Sequence, residues 1–559
     1  MFKTALLVVT KPLSQLRAII PEYLSELNRV TSTTAYIHIQ PEGSGKNAQS
    51  VNYDLVRVPF TTEVRNIVKA FYSSSSKTCS HLDIYVLVGH LTNGDVKLKK
   101  YNFKQPCDVV LIDKKVADDE SSMFVQSLSK LFSVVDGAKL QYIETQEGYP
   151  DGKKARLDVS AQEFANKLVK QYSHTVVGGT YDRLHVGHKL LLTEACMLST
   201  GKLTVGVTTG PMVMKKVLHE IMQPVNERIS IVREFLTDVK PGLDYRLFSI
   251  TDGFGPTVAR SPDYDPKEDA GMGLIVLSQE TIKGGEMINA EREKEGLPRL
   301  DVHTIELLED TCHSKYEEEK VSSSSLRKRL LGTLLHPVQV KSHLAVHPYV
   351  IGLTGGIACG KSSVCQRLQG LGAKIVDCDK LGHKAYVKGT PGFERVVEAF
   401  GPSVVGEDGE IHRPTLGKIV FGDKAELERL NAIVWPEIAR LVGEQIQQYK
   451  QEGTEVVVLD AAILLEASWD HMCHEVWTTI VPRDEVIQRL VDRNKLTTEA
   501  ATQRLNAQIS NTERVSRANV VLCTLWEYEY TQQQVERAWA LLKQRLPIQG
   551  KSSSAKSNM

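Results

Sequence analysis

The sequence predicts an α/β protein made of three successive regions. Two observations support this prediction. β-branched strand-like runs alternate with helical stretches along the chain, and at two places a strand leads through a glycine turn directly into a helix. The turns at Gly178 and Gly355 each have the form of a βα unit that opens a parallel sheet. We expect an N-terminal α/β region, then a Rossmann-like domain, then a P-loop domain with a parallel sheet.

Composition sets the class of protein. A chain of 559 residues is too long for a single hydrophobic core, so we expect several domains. Lys+Arg and Asp+Glu balance at 68 each, and this balance gives no reason to expect a nucleic-acid partner. Nine cysteines without regular spacing favour a reducing, cytoplasmic compartment over a disulfide framework. No apolar run reaches the roughly 18 residues of a membrane span.

The first region, residues 1–165, contains no catalytic constellation, and the sequence leaves its role open. The first acidic residue is Glu22, and the charged residues before it, Lys3, Lys11 and Arg17, are all basic and lie among Leu, Val and Ile. This start is similar to a mitochondrial address and predicts peripheral association with a mitochondrial membrane. The alternative is a strand at 4–9 followed by an amphipathic helix of a folded domain. The serine run 73–76 and the segment 41–50 are expected to be turn-rich breaks.

The remaining domain boundaries are predicted from changes in strand and helix pattern and from prolines and glycines that interrupt it. We expect the Rossmann-like domain over 172–335, a proline-containing connection over 336–348 and the P-loop domain over 349–547. The tail 548–559, mostly Ser and Lys, is predicted to be disordered.

The clearest motif lies at the start of the P-loop domain. The segment 355–362 fits GxxxxGK[ST] between a strand and a helix. Its backbone N–H groups can close around phosphate oxygens at a helix N-terminus, Lys361 can reach the outer phosphates, and Ser362 can ligate Mg²⁺. The predicted ATP contacts are Gly355, Gly356, Ile357, Ala358, Cys359, Gly360, Lys361, Ser362 and Ser363.

Charged residues beyond this loop fit phosphoryl transfer. Asp377 and Asp379 follow one strand, and one of them could accept a proton from a hydroxyl acceptor. Asp460 ends a later strand and suits a Mg²⁺-bound water. Arg489 and Arg493 lie on helical sequence that could close over the phosphates. Solvated acids, helix caps and a charged helix face are the alternative interpretations.

Residues 350–545 resemble dephospho-coenzyme A kinase. The matching pieces are GLTGGI at 352–357, DCD at 377–379 with His383, GEIHR ending at Arg413, Phe421, and the segment 488–508. The resemblance implies Asp379 as general base for a ribose 3′-hydroxyl, Asp377 and Arg413 as substrate contacts, and a lid carrying Arg489 and Arg493. Trp435 and Ala462 depart from the usual His and Pro of that family.

A second pair of motifs lies in the middle domain. His185, Gly187 and His188 form HxGH after the first strand, and Val-Ser-Ser-Ser-Ser-Leu-Arg at 321–327 opens a later helix. Two imidazoles at a helix N-terminus can approach a triphosphate closely, and Arg327 with the serines can hold a departing pyrophosphate. A polar core histidine and a serine-rich linker are the alternatives when each motif is taken alone.

Together these motifs resemble the HxGH nucleotidyltransferases, and within them phosphopantetheine adenylyltransferase of the eukaryotic and archaeal type. The matching pieces are 178–188, 206–211, 226–228, 277–281, 288–289 and Arg292. The resemblance implies ATP contacts from Gly178, Gly179, Thr180, Asp182, His185, Gly187, His188, Ser322, Ser323, Ser324 and Arg327. Acceptor contacts are expected from Lys215, Lys216, Glu280, Thr281, Asn289 and Arg292.

The two resemblances imply two consecutive reactions on one chain. ATP would adenylylate 4′-phosphopantetheine, and a second ATP, with Mg²⁺, would phosphorylate dephospho-coenzyme A. We expect a monomer or small oligomer in the cytoplasm, with mitochondrial association. From the residues alone, another phosphate acceptor such as a pyridine mononucleotide stays open, as does a nucleotide-binding scaffold. A thiolate at Cys359, favoured by the helix dipole, is a further hypothesis, with a buried inert cysteine as its alternative.

Overall fold

The computed structural model describes residues 1–41, 54–145, 167–258 and 271–546, except positions 96, 115, 118, 119 and 421. It contains three five-stranded sheets whose neighbouring strands are all parallel. The chain divides into two compact units, residues 1–326 and 327–559. The first two sheets belong to the first unit and the third sheet to the second. This confirms the predicted α/β class and the three parallel-sheet regions.

The first sheet has the strand order β3-β2-β1-β4-β5. Its strands are β1 (Phe2–Val9), β2 (Thr31–Ile39), β3 (Asp83–Leu87), β4 (Cys107–Ile112) and β5 (Val134–Tyr142). Its helices are α1 (Leu13–Val30), α2 (Thr62–Thr78) and α3 (Ser121–Ser129). The buried residues of β1 run without polar interruption from Ala5 to Val9, as expected for a central parallel strand covered on both faces.

The second sheet has the order β10-β9-β6-β7-β8, so its chain order across the sheet repeats that of the first. Its strands are β6 (Tyr172–Gly179), β7 (Ser199–Thr208), β8 (Asp244–Ile250), β9 (Met272–Ser278) and β10 (Asp301–Ile305). Its helices are α4 (Val186–Leu198), α5 (Pro211–Met214), α6 (Val225–Val239) and α7 (Ile282–Lys294). The helix α8 (Ser323–Leu330) follows and crosses the division between the units.

The third sheet has the order β12-β13-β11-β14-β15. Its strands are β11 (Tyr349–Gly355), β12 (Lys374–Asp377), β13 (Val456–Asp460), β14 (Glu475–Ile480) and β15 (Val520–Cys523). Its helices are α9 (Lys361–Gly370), α10 (Cys378–Lys384), α11 (Pro391–Phe400), α12 (Arg413–Val420), α13 (Lys424–Gln451), α14 (Arg483–Asn494), α15 (Thr498–Asn506), α16 (Asn511–Arg517) and α17 (Tyr528–Arg545). Parallel strands place β11, β12 and β13 with their carboxyl ends at one edge, where the phosphate loop lies.

Two expectations about the first region are settled by the described residues. The N-terminal residues form β1 and α1, and the apolar face of α1, including Leu16, Ile20 and Leu24, is buried in the core. The prediction that Ser73–Ser76 forms a turn-rich break is wrong, because these residues lie inside α2. Ser73, Ser75 and Ser76 each donate a hydroxyl hydrogen bond to the carbonyl three residues back, which satisfies them within a helix.

Some expectations lie outside the described residues, namely the break at 42–50 and the tail 548–559. The exact domain bounds also stay predictions. The expected connection 336–348 is described and belongs to the second unit, in which Lys341 donates to the carbonyls of Asp470 and Cys473 at 2.6 and 2.8 Å. Among the described helices, none is long and apolar enough to cross a membrane.

Candidate active sites

The phosphate loop joins β11 to α9. Gly360, at φ +80°, caps α9 in the left-handed region, and an added β-carbon there would lie 2.7 Å from the Thr524 hydroxyl. Only glycine meets both constraints at this position. Ser362 is exposed at the first turn of α9, whereas Ser363 accepts a hydrogen bond from Arg367. The loop therefore presents its amides at the start of a helix, as the motif predicts.

Acidic groups meet Lys361 at the sheet edge. The Lys361 ammonium forms an ion pair with Asp460, and both side chains are 12% exposed. Burial opposes the charge of Lys361, but the Asp460 carboxylate outweighs it and raises the lysine pKa. Asp377 stands opposite Asp460 in the strand register, and it caps α10 by accepting the Lys380 amide at 2.9 Å. Burial raises the pKa of Asp379, against the opposing charge of Lys361.

Arg489 contacts the backbone of the phosphate loop and of Thr524. Its guanidinium donates to the Ala358 carbonyl at 3.2 Å and to the Thr524 carbonyl at 2.7 Å. Thr524 in turn donates to the Cys359 carbonyl at 2.9 Å. These contacts use several Arg489 donors within the protein, and a contact of Arg489 with ATP stays a prediction. Arg493 is exposed on α14.

Cys359 is buried, and its thiol shares a 2.8 Å hydrogen bond with the Thr479 hydroxyl. Burial raises the pKa of this thiol, and the hydrogen bonds and nearby positive charges oppose the rise without cancelling it. The hypothesis of a thiolate favoured by the helix dipole is therefore wrong in direction, and the buried, inert alternative fits the structure.

Two residues outside the glycine motif, Gln508 and Arg514, lie against the loop. Gln508 accepts the Ile357 amide at 2.8 Å, and so occupies one of the loop's donors. Arg514 on α16 is 1% exposed, and its Nη1 would lie 3.4 Å from a β-carbon added at Gly356. Its Nε and Nη2 have no hydrogen-bond partner among the described residues, apart from Glu466 at 3.6 Å. The segment 488–508, which belongs to the kinase resemblance, ends at Gln508. No sequence motif indicated Arg514.

Arg413 is the first residue of α12. Its guanidinium donates to the His383 carbonyl at 3.3 Å and lies 5.7 Å from the centre of the Tyr386 ring. These contacts hold the arginine beside α10, the helix that begins at Asp377 and carries Asp379.

The HxGH motif forms the first turn of α4. His185 is the N-cap residue, and its Nδ1 accepts the His188 amide at 3.4 Å, so its proton lies on Nε2. The two imidazoles stack with their centres 3.8 Å apart. A β-carbon at Gly187 would lie 3.3 Å from the His185 ring, which explains the glycine between the histidines. Burial lowers the pKa of His185 to about 3 and that of His188 well below its usual value, so both rings are neutral.

The turn between β6 and α4 is held from the side. Asp182 is fully buried and accepts the Gln223 amide at 3.0 Å. Arg228, 2% exposed, donates to the carbonyls of Thr180 and Thr208 at 2.5 and 3.0 Å. Arg228 thereby joins the ends of β6 and β7. Within the matching segment 226–228, this arginine stabilises the turn between β6 and α4. Gly178 and Gly179 end β6 at the same turn.

The serine motif reaches the HxGH turn, as the pairing of the two motifs predicts. Ser323 donates to the Asp182 carbonyl at 2.9 Å, and the Val321 carbonyl lies 4.0 Å from a β-carbon at Gly187. Ser322 shares hydrogen bonds with Ser324 and Ser325 at 3.2 and 3.1 Å. Two motifs that are 135 residues apart in sequence therefore form one site. Arg327 is 2% exposed on α8, at the start of the second unit.

Lys320 is a cation that the motif search missed, although it directly precedes the serine motif. Its ammonium pairs with Glu280 and with Glu318, the latter at 3.2 Å. Burial lowers the pKa of Lys320, and the neighbouring charge of Lys216 lowers it further. Lys216 also depresses the pKa of His188 after burial and His185. Lys216 thus puts a cation close to the HxGH turn, and Lys320 puts a second cation close to Lys216.

Asn289 and Arg292 lie inside the fold, and their contact with the acceptor stays a prediction. Both are 3% exposed. Asn289 exchanges two hydrogen bonds with the backbone of Leu300 at 2.9 and 3.0 Å, and Arg292 donates to the Pro298 carbonyl at 2.8 Å. Thr281 bonds within its own turn to Ser278 at 3.1 Å, and Lys215 is exposed.

The donor set of the P-loop site fits Mg²⁺. The Ser362 hydroxyl and the Asp460 carboxylate could offer oxygen atoms to a cation at this sheet edge, and hard cations that accompany ATP prefer oxygen ligands. Among the described residues, no group of three or more His, Cys, Asp or Glu side chains could hold a metal by itself. Phosphate oxygens would supply the remaining ligands.

Comparison with known proteins agrees with this geometry. Residues 349–524 match the family Dephospho-CoA kinase, residues 176–329 the family Cytidylyltransferase-like, and residues 3–133 the COASY N-terminal domain. The dephospho-CoA kinase of Symbiobacterium thermophilum is 41% identical over 34% of this chain and 80% of its own length. That of Moorella thermoacetica is 39% identical over 35% and 94%. A dephospho-CoA kinase structure from Campylobacter jejuni is 25% identical over 35% and 97%, with a TM-score of 0.29.

The sites and sheets define a transferase that combines an HxGH nucleotidyltransferase with a P-loop kinase. The chain belongs to the dephospho-CoA kinase family. Its three matched regions, in their order, are those of the bifunctional coenzyme A synthases. The chain is therefore a bifunctional enzyme of the last two steps of coenzyme A biosynthesis.

Proposed function

We propose that the site at α4 transfers AMP from ATP to 4′-phosphopantetheine, and that the P-loop site then phosphorylates dephospho-coenzyme A. The observation that supports the first assignment best is the hydrogen bond from Ser323 to the Asp182 carbonyl, which unites the serine motif with the HxGH turn. The second assignment is supported by Lys361, Asp379 and Asp460 around one phosphate loop.

In the first reaction, an oxygen of the acceptor phosphate attacks the α-phosphorus of ATP. The bond from that phosphorus to the bridging oxygen breaks, and pyrophosphate leaves with the electron pair. His185 presents Nε2–H because its Nδ1 is occupied by the helix, and His188 stacks on it. Two neutral imidazoles at a helix N-terminus donate hydrogen bonds to the phosphates. They stabilise the negative charge of the phosphates without first having to release a proton. Lys215, Lys216 and Arg327 supply positive charge.

In the second reaction, the ribose 3′-hydroxyl attacks the γ-phosphorus of ATP and ADP leaves. Asp379 accepts the hydroxyl proton, and its raised pKa makes it a better base than an ordinary aspartate. Lys361 exchanges its ion pair with Asp460 for the outer phosphates. Asp377 and Arg413 lie on the acceptor side, next to α10.

Mg²⁺ belongs to this proposal together with ATP. When bound, it neutralises phosphate charge and orients the γ-phosphoryl group. Ser362 and Asp460 would hold it, because their oxygens flank Lys361 at the start of α9. Gln508 and Arg489 keep the loop in its phosphate-binding shape.

The compartment and assembly state are part of the same proposal. The enzyme is cytoplasmic, a monomer or small oligomer, with a pool on the mitochondrial surface. The basic residues before Glu22 support the mitochondrial pool. Since the apolar face of α1 is buried, the contact would be peripheral and electrostatic. Cell fractionation of wild type against Lys3→Glu/Lys11→Glu measures that pool.

The experiment that tests both assignments is mass analysis of products from three proteins. With ATP and 4′-phosphopantetheine, wild type should form coenzyme A, Lys361→Ala should accumulate dephospho-coenzyme A, and His188→Ala should form neither product. Given dephospho-coenzyme A directly, His188→Ala should still form coenzyme A. The same assay with a pyridine mononucleotide in competition decides between acceptors, and an absence of any product would leave a nucleotide-binding scaffold.

A further inference from the structure

The role of the N-terminal sheet follows from its contact with α4, the helix that carries the HxGH motif. Three polar side chains in the first two turns of α4 are buried, namely Lys189, Thr193 and Glu194, at 3%, 0% and 1% exposure. Buried polar groups are costly unless partners satisfy them. All three find a partner in residues 1–145.

Lys189 directly follows His188. Its ammonium pairs with the Asp83 carboxylate at the start of β3 and donates to the Ile84 carbonyl at 3.2 Å. It also lies 4.0 Å from the centre of the Tyr85 ring. A lysine that is 4% exposed is thus enclosed by one edge strand of the N-terminal sheet.

The next turn of α4 is held by α2. The Tyr72 hydroxyl shares a 3.0 Å hydrogen bond with Thr193 and accepts the Val86 amide at 3.1 Å. Arg65 donates to the Glu194 carboxylate at 2.8 Å, and its guanidinium also contacts His303 at 2.7 Å. Arg65 therefore links α2 to both α4 and β10.

The phosphate-binding position of the N-terminal sheet is itself filled. This sheet repeats the strand order of the HxGH domain, yet the turn after β1 is occupied by Asp113. The carboxylate accepts the amides of Thr10 and Lys11 at 2.8 and 3.2 Å and the Tyr23 hydroxyl at 2.6 Å. The amides that an anionic ligand would use at the start of α1 thus bind an internal carboxylate. The contacts of this domain with α4 come instead from β3 and α2.

We propose that the N-terminal domain is a fixed part of the adenylyltransferase, in which Asp83, Tyr72 and Arg65 clamp α4 and so orient His185 and His188. These three are positioning residues, since they act through Lys189, Thr193 and Glu194. The orientation matters because the His185 side chain caps the same turn that Lys189 anchors: the Lys189 amide donates to the His185 carbonyl at 2.9 Å. A small rotation of this turn misaligns both imidazoles. The inference rests on the proposed adenylyl transfer at α4.

The test uses the full chain with Asp83→Asn, which keeps the size and removes the charge. We expect kcat of adenylyl transfer to fall about tenfold, because a displaced catalytic group costs rate steeply, while KM for ATP changes by less than about twofold. Kinase kcat, measured on dephospho-coenzyme A, should stay at the wild-type value. Hydrogen exchange at the first turn of α4 should accelerate.

Matched variants separate clamping from packing. Asp83→Glu keeps the carboxylate and should restore most of kcat. Lys104→Met removes an exposed ion pair to Glu234 between the same two domains, 2.6 Å long with side chains 64% and 40% exposed, and should change neither activity. Tyr72→Phe removes one hydroxyl and should lower kcat of adenylyl transfer in the same direction as Asp83→Asn.

Two outcomes would overturn the clamp. The first is a wild-type kcat of adenylyl transfer per folded molecule in both Asp83→Asn and Tyr72→Phe. Even if the unfolding temperature fell, this result would show that the two residues contribute only to stability. The other is an equal loss in both reactions for Asp83→Asn with no selective loss in Tyr72→Phe. If instead wild type forms no dephospho-coenzyme A, the proposal that 4′-phosphopantetheine is the acceptor fails. The clamp on α4 can still be tested by hydrogen exchange in α4 and by turnover with the acceptor that the competition assay identifies.

Discussion

At the scale of single residues, burial decides how the charged groups of both sites behave. Lys361 stays charged because Asp460 compensates its burial. At the imidazoles of the HxGH turn burial prevails, since the Asp310 charge opposes it only weakly at His185 and the neighbouring charges at His188 act in the same direction as burial. Asp379 lies between these cases, since the charge of Lys361 only partly offsets its burial. The same kind of side chain therefore has a different role depending on its nearest partner.

The raised pKa of Asp379 gives the kinase reaction an acid limb. The carboxylate must be ionised to accept the hydroxyl proton, so kcat/KM should fall as the pH drops through a pKa above that of an ordinary aspartate, near 3.8. The full pH profile measures this limb. Asp379→Asn should lose at least about a hundredfold in kcat and the limb with it. Asp408→Asn, at an exposed turn, is the control and should keep the wild-type profile.

Arg514 should contribute to phosphoryl transfer. Its guanidinium is buried beside Gly356 with two nitrogens not hydrogen-bonded among the described residues, so it can donate to phosphates held in the loop. Arg514→Met should lower kinase kcat/KM by about a hundredfold, as loss of one such donor does elsewhere. Arg517→Met, on the same helix with a side chain 38% exposed, should stay within about twofold. Equal activity of the two variants would contradict the assignment.

At the scale of elements, each site depends on a glycine at the junction of a strand and a helix. At the end of β11, a β-carbon on Gly355 would lie 2.6 Å from the Cys359 sulfur and 2.8 Å from the Thr479 carbonyl oxygen. At the start of α4, Gly187 brings the His185 ring over the turn. Both phosphate sites therefore depend on a position where neighbouring atoms leave little room for a side chain.

Gly355→Ala should therefore distort the loop. Because backbone atoms of β14 stand in the way, the expected loss is about 1–3 kcal/mol of stability, with at least a tenfold fall in kinase kcat/KM. Thermal unfolding and steady-state assays measure the two effects. Gly443→Ala is the matched control: it lies inside α13 with nothing within 4 Å of the new β-carbon, so it should stabilise the helix by up to about 1 kcal/mol.

At the scale of the whole molecule, the N-terminal and HxGH sheets share one hydrophobic core within the first unit. That core runs from β1 and α2 through α4 to β7 and α6. A histidine pair lies fully buried beside it, with the rings of His38 and His90 4.2 Å apart. Burial lowers the pKa of His90 to about 4 and that of His38 well below its usual value.

This pair predicts acid sensitivity of the first unit. Both histidines bind protons near pH 6.5 when unfolded, but His90 only near 4 when folded. Their contribution is therefore complete above about pH 6.5 and is lost as the pH falls towards about 4. Hydrogen exchange of residues 1–145 at pH 7 and 5 measures it. His90→Gln should flatten the dependence, His336→Gln, exposed in the second unit, should not, and a pH-independent first unit would contradict the prediction.

The sequence by itself determined the fold class, the phosphate loop, the HxGH turn and the serine motif, because each depends on local rules of glycine, strand and helix. Only the tertiary structure decided how distant partners use those motifs. The role of the N-terminal sheet, the positions of Arg228, Lys320 and Arg514, and the structural use of Asn289 and Arg292 all depend on contacts between remote segments. Burial and pairing arise from the packing of the whole chain, and no local pattern encodes them.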